Sequence, residues 1–322
     1  MKILNERVQT VLGLIDSSQL GYCHCHEHLF IENGQSAKIN PVLRIDDLNK
    51  STQELVMFKQ FGGTSIVDAQ PIGCGRMAYE LVEASRLSGV HIIASTGFHK
   101  LIFYPESHWI NGLRPSSLAE LFVSELREGM FVYCDQEYPE RRIEAKAGIV
   151  KVALDQEGLT KRYQNLLTVA AYAAIETGVS ILCHTEVGEH SLMLAEFLIE
   201  QGVKENAIIL CHMDRTAKDL SYHRAAAEMG VYLEYDTIGR FKYHTDEDEA
   251  LLIARMIEGG HEDRILLGLD TTRSRLKSYG GDIGLSYISQ TFIPLLKNYG
   301  ITDEFAKKCM VINPAKALAI KR

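Results

Sequence analysis

Eight short runs rich in β-branched residues recur along the chain, each followed by a segment of helical pattern. The first four are GYCHCHEH from Gly21, TSIVDAQP from Thr64, HIIASTG from His91 and GIVKVALD from Gly148; VSILCHTE, AIILCHMD, VYLEYDT and ILLGLD follow. Strands that alternate with helices pair in parallel, because each crossover returns the chain to the same end of the sheet. Eight such units in 322 residues fit a (β/α)8 barrel, which needs ~250 residues plus insertions. A doubly wound open sheet is the rival, but the first strand-to-helix turn lacks GxGxxG and no P-loop sequence is present. With no Pro/Gly/Ser-rich linker or shift in composition, the prediction is one α/β domain, a TIM barrel, over residues 1–322.

Helix signals fill the intervals. PSSLAELFVSELREG carries a capping box at Ser117 and Glu120 and an apolar stripe at Leu118, Leu121, Phe122 and Leu126. TKRYQNLLTVAAYAAIETG, SLMLAEFLIEQG and DEDEALLIARMIEGG read as helices, the last two stopping at glycine. The least regular insertions, HKLIFYPESHWINGLR after the third strand and SRLKSYGGDIG after the eighth, would project from the C-terminal mouth, where barrel active sites are built.

A net charge of -8 and a pI near 5.9 exclude binding nucleic acid by bulk charge. No stretch reaches the roughly 18 apolar residues of a membrane span, and MKILNERVQT lacks the order of a secretory leader. Seven cysteines without paired spacing point to reduced thiols. Together these place the chain in the cytoplasm.

Ten residues near the start, GYCHCHEHLF, hold three histidines, two cysteines and a glutamate. Strict strand alternation would put Tyr22, His24, His26 and His28 on one face and Cys23, Cys25 and Glu27 on the other. By the same reasoning Cys183 and Cys211, each preceding a histidine, turn toward the helices as small hydrophobes. His26, His28, His184 and His212 then stand near the C-terminal ends of strands one, five and six, and Asp270 ends strand eight. Imidazole and carboxylate suit zinc and other first-row divalent ions. HEH is not the HExxH of a zinc protease, whose histidines lie four apart on a helix. In the fourth strand, Lys151 needs a partner for its charge. It could snorkel to the mouth, form a Schiff base as in barrel aldolases, or become a carbamate between two metals; only the last explains the histidines around it.

HEH at the first strand, AGIVKVA at the fourth, CHTE and CHMD at the fifth and sixth, and GLD at the eighth resemble the phosphotriesterase-like branch of the amidohydrolase superfamily, across residues 20–272. The resemblance implies a (β/α)8 barrel with a binuclear centre of two divalent ions, zinc foremost, with manganese or cobalt as alternatives. It implies that His26, His28 and Asp270 hold the more buried ion and His184 and His212 the more exposed one. Lys151, as N6-carboxylysine, would bridge them. His24 has no counterpart among these ligands and reads as a hydrogen-bonded barrel histidine one layer deeper. The implied reaction is hydrolysis by a hydroxide that the ions share, with Asp270 carrying the proton to the leaving group.

Substrate choice rests on the loops. IGRFKYH after strand seven carries Arg240 and Lys242; TTRSRLKSYGG after strand eight carries Arg273, Arg275 and Lys277, and these loops form the usual phosphate site of barrels. Some members resembling this chain are lactonases of phosphorylated sugar lactones, and their phosphate contacts correspond to Lys242 and Arg273, with Tyr279 a weaker match. The expected substrate is therefore a small molecule, a phosphorylated aldono-1,4-lactone. TGFHK departs from the family, which usually sets an aromatic residue near the metals after strand three; here Phe98 or His99 would face the substrate. That departure weakens the case for organophosphate triester hydrolysis, which stays an alternative beside an unphosphorylated-lactone lactonase. A barrel that only binds a sugar phosphate would need neither Lys151 nor Asp270. A homodimer is left open.

Overall fold

The computed structural model describes residues 6–186, 188–216 and 219–321. Its eight-stranded parallel sheet comprises β1 (Cys23–Glu27), β2 (Ser65–Asp68), β3 (His91–Gly97), β4 (Ile149–Ala153), β5 (Ile181–His184), β6 (Ile208–Leu210), β7 (Tyr232–Tyr235) and β8 (Ile265–Leu267). Neighbours in the sheet are neighbours in sequence throughout, from β1 to β8. A doubly wound sheet reverses its order at a switch point; this one does not, and it curls until β8 meets β1. The seam is closed by Asp270 N donating to His26 O (3.1 Å) and by the Glu27 carboxylate, which accepts from Leu269 N (2.9 Å) and Thr271 N (3.2 Å). The fold is a (β/α)8 barrel.

Two apolar layers follow from strand alternation. Val67, Ile93, Ile149, Leu182, Ile209 and Leu266 fill the barrel interior. Their strand neighbours Ile66, Ile92, Val150, Ile181, Ile208 and Leu267 pack outward against the helices. A hairpin of Arg7–Thr10 and Gly13–Asp16 crosses the N-terminal end, and Val8, with Leu20, Ala317 and Leu318, joins the inner layer.

Alternation fails in β1. His24 pairs with Ile66 but Glu27 pairs with Asp68, one residue more in β1 than in β2. A bulge of this kind turns the following side chains over. Cys23 and Cys25 therefore belong to the inner layer, while the His24 ring meets Phe58 on the helix side at 4.8 Å. The expected faces of His24 and the two cysteines are reversed. His24 is hydrogen-bonded, to Glu27 Oε1 at 2.7 Å, but on the outside of the sheet. Cys183 does pack toward the helices; Cys211 does not, because it follows β6 on the inward register, beside Lys151. All seven cysteines are free and buried.

The helices form largely as read. Lys161–Thr177 is capped by Thr160, whose hydroxyl accepts from Tyr163 N, and ends at Gly178 with φ 77°. The capping box assigned to Ser117 is not used: helix Pro115–Arg127 starts three residues earlier than that box would set it, with Arg114 as N-cap. Proline at the first helical position has the φ the helix needs and no N–H to satisfy, so it sets the start. Among the described residues no helix is long and apolar enough to cross a membrane.

One glycine is required by the site. Gly97 ends β3 with φ +97°, and a Cβ there would press on the Lys151 carbonyl oxygen. Gly97→Ala is expected to destabilise the fold by more than ~1 kcal/mol, read as a lowered midpoint in denaturant unfolding.

Candidate active site

The strand ends surround a cavity of about 570 Å³ at the C-terminal mouth, lined in part by His28, His99, His184 and Asp270. That volume suits a small molecule. The insertion after β3 contributes Lys100 and Phe103 to its wall, and the one after β8 contributes Ser274, Arg275 and Ile283.

His26, His28 and Asp270 converge. Asp270 Oδ1 lies 3.5 Å from His28 Nε2 and 3.8 Å from His26 Nε2. Burial works against a charge on Asp270, but Arg240, hydrogen bonding to His28 and the nearby histidines outweigh it and hold the carboxyl well below its usual range. Asp270 has φ +45° and His212 φ +60°, conformations that cost a non-glycine residue ~1–3 kcal/mol and gather at functional sites. Each is held by its own N–H: Asp270 N on His26 O, and His212 N on Asp236 Oδ2 (3.2 Å).

His184 and His212 form a second group, with His184 Nδ1 and His212 Nε2 only 2.7 Å apart. Their outer nitrogens face carboxylates: His212 Nδ1 meets Asp236 Oδ1 at 2.7 Å, and His184 Nε2 meets Glu186 Oε1 at 3.0 Å. A carboxylate only accepts, so each outer nitrogen carries the hydrogen and each inner one a lone pair. Burial depresses both rings, His212 to about 3 and His184 well below the ordinary histidine value, so neither adds a second proton. Two lone pairs aimed at each other repel unless a cation lies between them. This donor set therefore fits a metal ion, with Asp236 and Glu186 fixing ring orientation behind it.

Asp236 also reaches the first group, with Oδ2 3.0 Å from His26 Nδ1. Burial and Lys151 oppose a charge on His26; Cys211 and Asp236 favour one and prevail, so the ring sits well above its ordinary value and its surroundings call for positive charge. Lys151 is fully buried, with Nζ 3.4 Å from His26 Nε2 and 3.9 Å from Cys211 Sγ. Neither contact is a carboxylate that could balance an ammonium ion.

Asp236 lies in the seventh-strand run and Glu186 in the fifth-strand run, and the motifs there assign neither a role. Asp236 could have been found, since it continues the inward register Tyr232, Glu234, Asp236 of the seventh strand beyond its end. Glu186 sits in a loop and had no such signal. The Glu186 carboxylate also binds Lys100 at 2.5 Å, and with His184 this keeps it well below its usual range despite burial.

Of the expected substrate contacts, Lys242 and His99 line the cavity; Arg273 and Tyr279 do not. The Tyr279 hydroxyl is spent on Asp47 O (3.0 Å) and Ser51 Oγ (3.0 Å), at the start of helix Leu48–Gln60, and the Arg273 guanidinium lies over its ring. Phe98 is buried in the outer layer near Tyr163. His99 stands 5.1 Å from His184, and burial, then His184, keeps it well below the ordinary histidine value.

Residues 6–318 match the Phosphotriesterase family. The chain belongs to that family. As a member of the Phosphotriesterase family it is a metal-dependent hydrolase. It is similar to a phospho-furanose lactonase of Mycoplasmopsis synoviae (strain 53), 32% identical over 98% of this chain and 92% of the relative. An amidohydrolase from Mycoplasma synoviae superposes with a TM-score of 0.94 at 32% identity, covering 99% of this chain and 94% of that one. A lactonase from Listeria monocytogenes superposes at 0.89 with 28% identity, covering 98% of this chain and 100% of that one.

Proposed function

We propose that this protein is a lactonase that opens a phosphorylated aldono-1,4-lactone, using two divalent ions held by His26, His28 and Asp270 on one side and His184 and His212 on the other. Lys151, as a carbamate, would supply the anionic bridge that its buried amine cannot. The observation that carries the reading is the facing pair of lone pairs on His184 and His212 beside the convergent set around Asp270, both opening on one small cavity. Kinship to lactonases supports the substrate class.

Bound divalent ions supply activated water and polarisation of the lactone carbonyl. The chain's own groups do the rest. Asp270 Oδ1 faces the histidines while Oδ2 is held by Arg240 Nη1 at 3.0 Å and faced by Arg215 Nη2 at 3.7 Å, which keeps the carboxylate aimed. From there it takes the proton of the attacking water and gives it to the ring oxygen as the ester bond breaks.

Most cations of the cavity are committed: Lys100 to Glu186, Arg215 and Arg240 to Asp270, Arg275 to Leu269 O and Ile238 O. Among the described cations lining the cavity, Lys242 and Arg275 have no carboxylate within ion-pair distance, and with Arg275 spent on carbonyl oxygens it is Lys242 that is left, its amine lying 4.5 Å from the Tyr243 ring centre. It is the group best disposed to take a phosphate. Lys242→Met is expected to raise KM for the phosphorylated lactone by about 10-fold or more, the worth of a charge-assisted hydrogen bond, and to spare the free lactone. Acid release from paired phosphorylated and free aldono-lactones measures both; equal losses would remove the phosphate from the proposal.

A further inference from the structure

Behind the cavity lies a second cluster that the proposed reaction does not use. Asp214, His244 and Glu249 bring one ligand atom each to within 4.8 Å of one another. Asp214 and Glu249 are fully buried, and the His244 side chain is 5% exposed. Asp214 follows β6, His244 ends the loop after β7, and Glu249 lies in the first turn of helix Asp246–Glu258. Two stretches of chain, one after β6 and one after β7, thus aim donors at one point.

We propose that Asp214, His244 and Glu249 form a further divalent-cation site, suited to zinc or manganese, which clamps the loops after β6 and β7 and shares no residue with the catalytic centre.

The donors are prepared for it. His244 Nδ1 lies 3.0 Å from Thr245 O, which can only accept, so the neutral ring carries its lone pair on Nε2. That nitrogen faces the cluster, 3.0 Å from Glu249 Oε2, 3.9 Å from Asp214 Oδ2 and 2.9 Å from Thr237 Oγ1. Asp214 Oδ2 accepts from Thr237 N at 2.6 Å, which fixes the carboxylate, while Asp214 Oδ1 and both Glu249 oxygens have no hydrogen-bond partner among the described residues. Buried carboxylate oxygens are almost always partnered, because leaving them bare in a low-dielectric interior is costly. A divalent ion would satisfy all three and cancel the two negative charges, and an imidazole with two carboxylates is a ligand set for zinc or manganese. Burial, then the neighbouring Asp214, pushes Glu249 well above the usual carboxylate range, as expected of an acid lacking positive charge beside it.

The location gives the site a purpose. Asp214 is two residues past His212, and Thr237, which binds Asp214, is the residue after Asp236. An ion here would brace the segment that presents Asp236 to His26 and His212. It would act on the catalytic centre only through the position of that carboxylate.

Protons are the competing occupant, since a protonated His244 and one proton shared by the two acids would also neutralise the cluster. An anomalous difference map from wild-type crystals soaked in manganese chloride separates the two. A peak bounded by Asp214, His244 and Glu249, apart from any at Asp270, is expected; density at the catalytic donors alone overturns the proposal and leaves the lactonase reading standing. No peak at either place overturns both. In solution, Glu249→Gln and His244→Gln should each carry about one ion per chain fewer than wild type after equilibration with manganese, and their melting should respond less to the added metal. Equal metal content would count against the site, and the wild-type map decides where a variant fails to fold.

Discussion

Asp270→Asn is expected to lower kcat on the lactone by roughly 10²- to 10⁴-fold, the usual worth of a positioned general base. The asparagine keeps the shape of the side chain and one oxygen for the neighbours 3.5 and 3.8 Å away, but it cannot take up and return a proton. Metal content should stay close to that of the wild type, and KM should move little, because the lost interaction is made in the transition state. Steady-state rates with metal analysis of the same preparation check the prediction. A variant that turned over at near wild-type rate would show that the proton travels another way; one that lost its metal would show Asp270 acting chiefly as a ligand.

The second large effect is expected at Asp236, which touches no cavity atom. Its carboxylate accepts from His212 Nδ1 at 2.7 Å and from the His212 backbone at 3.2 Å, and faces His26 Nδ1 at 3.0 Å. Burial disfavours the charge on Asp236, but His212 and His26 outweigh it and hold the carboxyl well below its usual range. Asp236→Asn offers an amide where a carboxylate fixed the His212 tautomer and faced His26 Nδ1, so the His212 ring can turn its hydrogen toward the metal. Affinity for the metal should fall about 10- to 100-fold. Titrating metal back into chelator-treated protein measures it, and activity should return at high metal concentration. That recovery distinguishes a residue that orients ligands from one that merely supports the fold; unchanged affinity would contradict the role.

Much of the barrel was legible in the sequence because a parallel strand buried on both faces needs a continuous β-branched run, and eight such runs separated by helices have few other ways to close. The ligand candidates were legible for a related reason. Histidines and an aspartate at the ends of apolar strands stand where a barrel opens, and the structure does bring His26, His28, His184, His212 and Asp270 to one mouth. Lys151 stood out because an amine in an apolar strand is costly without a purpose.

The rest depended on contacts between distant residues. The bulge in β1 arises from pairing with β2 and from Glu27 reaching the chain after β8, some 240 residues away, so alternation alone put His24 and the cysteines on the wrong faces. Arg273 and Tyr279 sit in a basic loop, yet Tyr279 is drawn to Asp47 and Ser51 and takes Arg273 with it.

The sequence by itself determined the period of strands and helices, the absence of a dinucleotide or P-loop turn, and the kinds of side chain at each strand end, since these follow from local spacing. Only the tertiary structure decided which lone pairs face each other, that Asp236 holds His212 and faces His26 at once, and that Lys242 rather than Arg273 meets the cavity. Hydrogen-bond direction and the fate of a buried charge depend on what packs alongside, and no local pattern encodes the neighbour.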